Sequence, residues 1–143
     1  MDLDKLASKF DQVLLGGKLP VLLNHQSSII NHLVVAELNQ TGKDLSSRSI
    51  EHFKKIINRA KTVVFAGPMG CYEQVGCEMG TKTIFKAITQ STAFTVAGGG
   101  DTEMALAKFA LKGKISYISS GGGAMLSFLA HGTLPGIEAV ITK

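Results

Sequence analysis

Two short stretches concentrate the residue types that bind anions. Residues 98–102 read Gly-Gly-Gly-Asp-Thr, and residues 119–124 read Ser-Ser-Gly-Gly-Gly-Ala. Glycine lets an anion approach the backbone closely. A helix starting at such a turn adds free N–H groups and the positive end of its dipole. Two such starts facing one crevice suit the phosphates of a nucleoside di- or triphosphate. Asp101 is acidic where phosphate is expected, which makes sense with Mg²⁺ between them, because magnesium takes one or two carboxylates together with phosphate oxygens. The plainer reading is that the glycines only allow close helix–strand packing and that Asp101 is a helix cap. Two triplets on one sheet edge favour phosphate.

Other chemistry is poorly supplied. No G-x-x-x-x-G-K-[ST] occurs, and no G-x-G-x-x-G follows a strand-like run. His25, His32, His52 and His131 do not form a ligand set with each other, and His52 reads as a surface residue of a helix. Cys71 and Cys77 match no zinc spacing and read as small buried hydrophobes. Ser119 and Ser120 lack a recognisable His–Asp relay, so helix capping or phosphate contact suits them better than nucleophilic attack.

The elements that must position these residues follow from the order of runs. Residues 12–15, 62–65, 93–97 and 115–118 are short apolar runs, each leading into a glycine turn. None shows clean polar alternation, which fits parallel strands covered on both faces. Residues 34–37 form a weaker fifth candidate. Ile50, Phe53, Ile56, Ile57 and Ala60 recur at helical spacing, with Asp44, Ser46 or Ser47 as the cap. Residues 83–88 and 104–111 read as two further helices, the second capped by Asp101 or Thr102. A last helix runs over about 123–129 and ends at Gly132, and Pro20 suits the first turn of another. Residues 39–49 read as a loop. Strand, glycine turn, helix, repeated, is α/β: a three-layer, Rossmann-like arrangement with a mostly parallel sheet and right-handed crossovers. Ligands of such sheets bind beyond the carboxyl ends of the strands, where the glycine turns lie.

The 143 residues suit one nucleotide-binding domain over 1–143. With 45% hydrophobic and 18% charged residues, a buried core rather than disorder is expected. The net charge of +4 suits a phosphate-bearing ligand, but the cations are scattered and Trp is absent, so a nucleic-acid partner is not expected. No apolar run reaches the roughly 20 residues of a membrane span, and the first ten residues lack the apolar core of a signal peptide, so the expected location is the cytoplasm.

Several stretches together carry a family likeness. Residues 62–73 (TVVFAGPMGCYE), 79–81 (MGT), 97–102 (AGGGDT), 118–124 (ISSGGGA) and 134–136 (LPG) resemble, in order and spacing, the C-terminal, nucleotide-binding half of phosphoglycerate kinase. Residues 44–53 resemble that family's D-I-G-P-x-T helix start, with Ser46 and Ser47 in place of Gly-Pro. Residues 11–17 resemble its adenine-side glycine strand. The resemblance implies phosphoryl transfer between 1,3-bisphosphoglycerate and ADP, with Mg²⁺ and ATP or ADP as ligands. It implies that Gly98, Gly121 and Gly122 stabilise the transferring phosphoryl group. Gly99, Gly100, Asp101, Thr102, Ser120 and Gly123 would hold the nucleotide phosphates, with Asp101 on the metal. Pro68, Cys71 and Glu73 would line the purine and ribose, and Gly16 and Gly17 the adenine. The departures are definite. The family's N-terminal domain, which brings the cations for 3-phosphoglycerate, and the first strand of its nucleotide domain have no counterpart here. Ala66 stands where the family has asparagine. The resemblance thus implies a partial chain that keeps the Mg-nucleotide cradle and needs an N-terminal domain or companion chain for transfer, the alternative being a non-catalytic nucleotide-binding module or pseudoenzyme of the same fold.

Overall fold

The apolar runs that end in glycine all become strands, and every strand pair is parallel. A computed structural model describes residues 3–22 and 32–141; His25 lies outside the described residues. The elements in chain order are α1 (Leu3–Ala7), β1 (Val13–Leu15), α2 (Leu19–Leu22), β2 (Leu33–Val35), α3 (Ser47–Ile57), β3 (Thr62–Ala66), α4 (Met79–Gln90), β4 (Phe94–Gly98), α5 (Gly100–Lys108), β5 (Tyr117–Ser119), α6 (Gly122–His131) and α7 (Pro135–Ile141). A short 3₁₀ turn, Lys112–Lys114, leads into β5. The fold is α/β with parallel sheets, as the order of runs implies.

One expectation fails. The first run does not share a sheet with the other three. β1 pairs only with β2, Leu14 opposite Val34, while β3, β4 and β5 form a separate sheet in that order. Strand pairing is a non-local choice, and a run of three or four apolar residues carries no mark of its neighbour.

The two faces of the larger sheet can be told apart by register. Phe65 opposes Ala97, and Ala66 opposes Gly98. The Phe65 ring meets Phe85 of α4 edge-on at 5.1 Å. On the other face, the position a Cβ of Gly98 would take lies against Met125 of α6. α4 and α6 therefore cover opposite faces, which gives the three layers. The α3–α4–α5 side is the drier one: Phe53, Ile84, Phe85, Ile88 and Leu106 are almost wholly buried there. Burying a side chain of this size contributes about 1.5–3 kcal/mol. β1 and β2 join the same apolar cluster through Leu14, Val34 and Ala36.

Helix boundaries correct several local assignments. Ser46 is the cap of α3, its hydroxyl accepting from Ser49 N, so neither Asp44 nor Ser47 serves. α5 begins at Gly100, with Gly99 at φ +96° as its cap residue and no side chain capping it, so neither Asp101 nor Thr102 is the cap. α4 starts four residues earlier than the periodicity indicates, and α3 begins inside the stretch read as a loop. Gly132, at φ +75°, ends α6 in the left-handed conformation that glycine adopts without strain. No single described helix is long and apolar enough to cross a membrane; α6 and α7 reach that length and composition only together, bent by 63°.

Candidate functional site

Three glycine turns meet at the carboxyl ends of β3, β4 and β5 and line an open cavity of about 420 Å³. Ala66 and Gly67 come from the end of β3. Gly98, Gly99, Gly100, Asp101 and Thr102 come from the β4–α5 turn, and Ser120, Gly122 and Gly123 from the β5–α6 turn. Leu126, in the second turn of α6, also lines the cavity.

Backbone contact holds the turns together. Gly99 N donates to Ser119 O at 3.1 Å. A Cβ on Gly122 would stand 2.8 Å from Gly99 Cα and 3.0 Å from Gly99 N, so the two chains touch backbone to backbone. Thr102 bridges the third turn: its hydroxyl donates to Gly98 O and accepts from Gly67 N, both at 2.7 Å. Replacing Thr102 by valine keeps the shape and strands the Gly67 N–H, at a cost of about 1–3 kcal/mol. Urea denaturation should show that loss for Thr102→Val and near-recovery for Thr102→Ser; equal stability of the two variants would remove the hydroxyl from this role.

The electrostatics favour an anion. α5 and α6 both start at the cavity, and neither start is capped by a side chain. The first return bonds are Glu103 N to Gly99 O and Met125 N to Gly121 O. The amides of Gly100, Asp101 and Thr102, and of Gly122, Gly123 and Ala124, therefore have no intrahelical acceptor. Two helix dipoles add their positive ends at the same place. The exposed Asp101 carboxylate is the only acidic group lining the cavity among the described residues.

The remaining candidates cluster beside this cavity on the loop that follows Gly67. Thr81 of α4 accepts from Met69 N and Gly70 N. Cys71 N donates to Lys43 O, and Gly17 N to Met69 O at 3.1 Å. Gly16 and Gly17 thus pack on the loop that carries Pro68, Cys71 and Glu73, and none of these five lines the cavity. Lys108 of α5 donates to Tyr72 O at 2.6 Å, with its ammonium over the Tyr72 and Phe109 rings. Burial, then the Glu73 and Asp101 carboxylates, hold the Tyr72 hydroxyl above its ordinary 10.0, so it stays neutral. Gly121 is the cap residue of α6 and does not line the cavity.

Sequence reasoning did not single out Leu126, Thr81 as a loop anchor, or Asp44 as a buried one; Thr81 accepts from Met69 N and Gly70 N, and Asp44 from Gly80 N, each more than ten positions away. A second cavity of similar volume, beside α3, sets Arg48 and Lys55 against Glu37 and Glu51. Its charges balance, and Arg48 pairs with Glu37 at 3.6 Å.

Residues 21–132 match the family described as phosphoglycerate kinase. The chain is 40% identical over 117 residues to phosphoglycerate kinase of Baumannia cicadellinicola, covering 82% of this chain and 30% of that protein. It is 45% identical over 105 residues to the Thermosipho africanus protein, covering 71% and 26%. The structure of phosphoglycerate kinase from Coxiella burnetii superposes with a TM-score of 0.80 at 26% identity, covering 98% of this chain and 48% of that one. The Pyrococcus horikoshii enzyme gives 0.75, also at 26% identity. The chain spans about 30% of the length of the curated relatives it matches.

Proposed function

The chain belongs to the phosphoglycerate kinase family, and from that premise we propose that it is the nucleotide-binding part of the family's fold, its C-terminal half, holding Mg-ADP or Mg-ATP at the glycine cavity. The observation that carries this reading is the convergence of two uncapped helix starts on one cavity with a carboxylate at its rim.

The residues fit such a ligand. Six backbone amides without helical acceptors suit phosphate oxygens, and Asp101 suits a cation shared with them. Bound there, Mg²⁺ would neutralise charge on the terminal phosphates. The α6 start, with Gly122 lining the cavity and Gly121 as the cap residue just before it, and Gly98 at the end of β4 would set fixed dipoles toward the transferring phosphoryl group and stabilise its charge. Thr102 and Ser120 would position phosphates. Pro68, Cys71 and Glu73, with Gly16 and Gly17 behind them, would flank the base and ribose.

Transfer between 1,3-bisphosphoglycerate and ADP needs more than this. An acyl phosphate carrying a second phosphate calls for several cations, best as bidentate arginines. The two arginines here, Arg48 and Arg59, lie in and just beyond α3 rather than on the glycine cavity. The 143-residue chain should therefore bind nucleotide and show no turnover by itself in a coupled assay. Robust turnover by the pure chain would overturn this part of the proposal.

Calorimetric titration tests the site. Asp101→Ala should weaken Mg-ADP about tenfold, which corresponds to roughly 1.4 kcal/mol. ADP in chelator should be affected less than about twofold if the carboxylate acts through the metal. Equal loss in both titrations would leave Asp101 without a metal role, and no binding of either ligand to the unmodified chain would sink the proposal.

A further inference from the structure

We propose that Lys108, at the end of α5 away from the cavity, is a positioning residue for the nucleotide. It holds the peptide between Tyr72 and Glu73, and so sets where the Glu73 carboxylate meets the ribose. The proposal rests on the placing of a nucleotide at the glycine cavity. Its ground is the way the loop after β3 is anchored. Thr81 of α4 holds the amides of Met69 and Gly70, and Lys43 O accepts from Cys71 N. These backbone anchors reach only as far as Cys71. Beyond it the chain closes on itself, Gln74 N donating to Cys71 O at 2.9 Å and Cys77 N to Gln74 O at 3.1 Å. Lys43 Nζ touches only the Gln74 side chain, at 3.3 Å. Glu73 lies inside this turn, exposed, and its carboxylate has no hydrogen bond or ion pair among the described residues. Its placement therefore depends on its backbone.

Lys108 supplies the next anchor. Its ammonium donates to Tyr72 O at 2.6 Å, across 36 positions of sequence. That carbonyl belongs to the planar peptide whose other end is Glu73 N, so fixing it fixes the start of Glu73. The Tyr72 side chain secures the same point. It is 3% exposed and lies edge-on to Phe109, with ring centres 6.4 Å apart. The Lys108 ammonium stands 5.6 Å from the centre of the Tyr72 ring. Burial first, and then the charges of Glu73 and Asp101, raise the pKa of its hydroxyl. Tyr72 thus feels the carboxylate at one end of α5 while it is bonded to the ammonium at the other. Asp101 and Lys108 are seven residues apart, close to two full turns, so they lie on one side of the helix.

α5 then acts as a spacer. Its first turn carries the free amides of Gly100, Asp101 and Thr102, and its last residue is Lys108. Thr102 ties the start of the same loop to this helix through Gly67 N. A ligand with phosphates at one end and a ribose at the other would be measured against one rigid element. A plainer role for Lys108 is available: a cation at a helix C-terminus suits the dipole, and an ammonium over aromatic rings adds a cation–π term. Both would stabilise α5 whether or not Glu73 is present. Positioning acts through Glu73, and that dependence separates the two.

A double-mutant cycle on Mg-ADP affinity, read by calorimetry on the 143-residue chain, makes the separation. Lys108→Met keeps most of the side-chain length and removes both donor and charge. It should weaken Mg-ADP about fivefold in the unmodified background, and less than about twofold where Glu73 is already alanine. Glu73→Ala alone should cost at least as much as Lys108→Met alone. Since Lys108 is exposed at a helix end, thermal unfolding of Lys108→Met without ligand should stay close to that of the unmodified chain. An equal loss in both backgrounds, no loss in either, or a Lys108→Met chain that no longer folds would make Lys108 a clamp of the fold and overturn the proposal. Absence of Mg-ADP binding by the unmodified chain would overturn the nucleotide reading itself, and this proposal with it.

Discussion

Replacing Gly122 by alanine should cost the site more than any other single methyl group. The new Cβ would lie 2.8 Å from Gly99 Cα, 3.0 Å from Gly99 N and 3.1 Å from Gly98 C. All three are backbone atoms of the turn that also lines the cavity, so no side chain can swing aside. α6 must move away from β4, which strains the Gly99 N to Ser119 O bond and separates the two helix starts. Overpacking of this kind costs about 1–3 kcal/mol, and we expect the upper end. Nucleotide affinity should fall by more than about tenfold, because both sets of free amides must address one ligand. The neighbouring glycines provide the scale. At Gly98 the nearest atoms are Cε and Sδ of Met125, the mobile end of a flexible side chain, so Gly98→Ala should be milder. At Gly100 and Gly123 nothing lies within 4 Å, and helix propensity there favours alanine by about 0.8–1 kcal/mol. Thermal unfolding should rank Gly122→Ala well below Gly98→Ala, with Gly123→Ala at or above the unmodified chain. If Gly122→Ala unfolds with Gly123→Ala, the close backbone approach has no structural weight.

The same residues show where a sequence can be read and where it cannot. The strands β3, β4 and β5, and the existence of a helix after each, were legible because apolar run, glycine and helical period follow one another along the chain; where α4 and α5 begin was not. Gly132 was legible as a helix end for the same local reason. The separation of β1 from β3 was not, since pairing depends on what lies beside a strand and not on what lies within it. Asp101 and Thr102 were natural choices as caps by type. Thr102 instead spends its hydroxyl on Gly67, 35 positions back in sequence, and on Gly98 O. The cap of α5 is a bare glycine because the turn must come against Gly122. The stretches that reveal the cavity are local, and the side chains that hold it together are not.

Asp44 is the strongest case, and its removal should cause the largest loss of stability among polar substitutions. Its side chain is 2% exposed. One oxygen accepts from Gly80 N at 2.9 Å and the other from Leu45 N at 2.8 Å. Gly80 is the second residue of α4, whose own cap residue, Glu78, makes no capping bond. Asp44 therefore caps α4 from 36 residues away, a carboxylate placed at the positive end of a helix. Room for it exists because Gly70 and Gly80 lack side chains; a Cβ on either would fall within 2.4 Å of its Oδ1. Asp44→Ala strands two buried N–H groups and removes the charge–dipole term, for a total of about 2–4 kcal/mol. Asp44→Asn keeps one acceptor but turns an NH₂ toward the other donor, and should fall between. Since α4 also carries Thr81, which holds Met69 and Gly70, loss of the cap should loosen the loop that bears Cys71 and Glu73 before it disturbs the β4–α5 turn. Urea titrations at constant slope should place alanine below asparagine and both below the unmodified chain. Exchange at the amides of Met69 and Gly70 should accelerate in both variants. An Asp44→Ala chain within about 0.5 kcal/mol of the original, the range of ordinary surface substitutions, would show that α4 needs no cap from the β2–α3 segment.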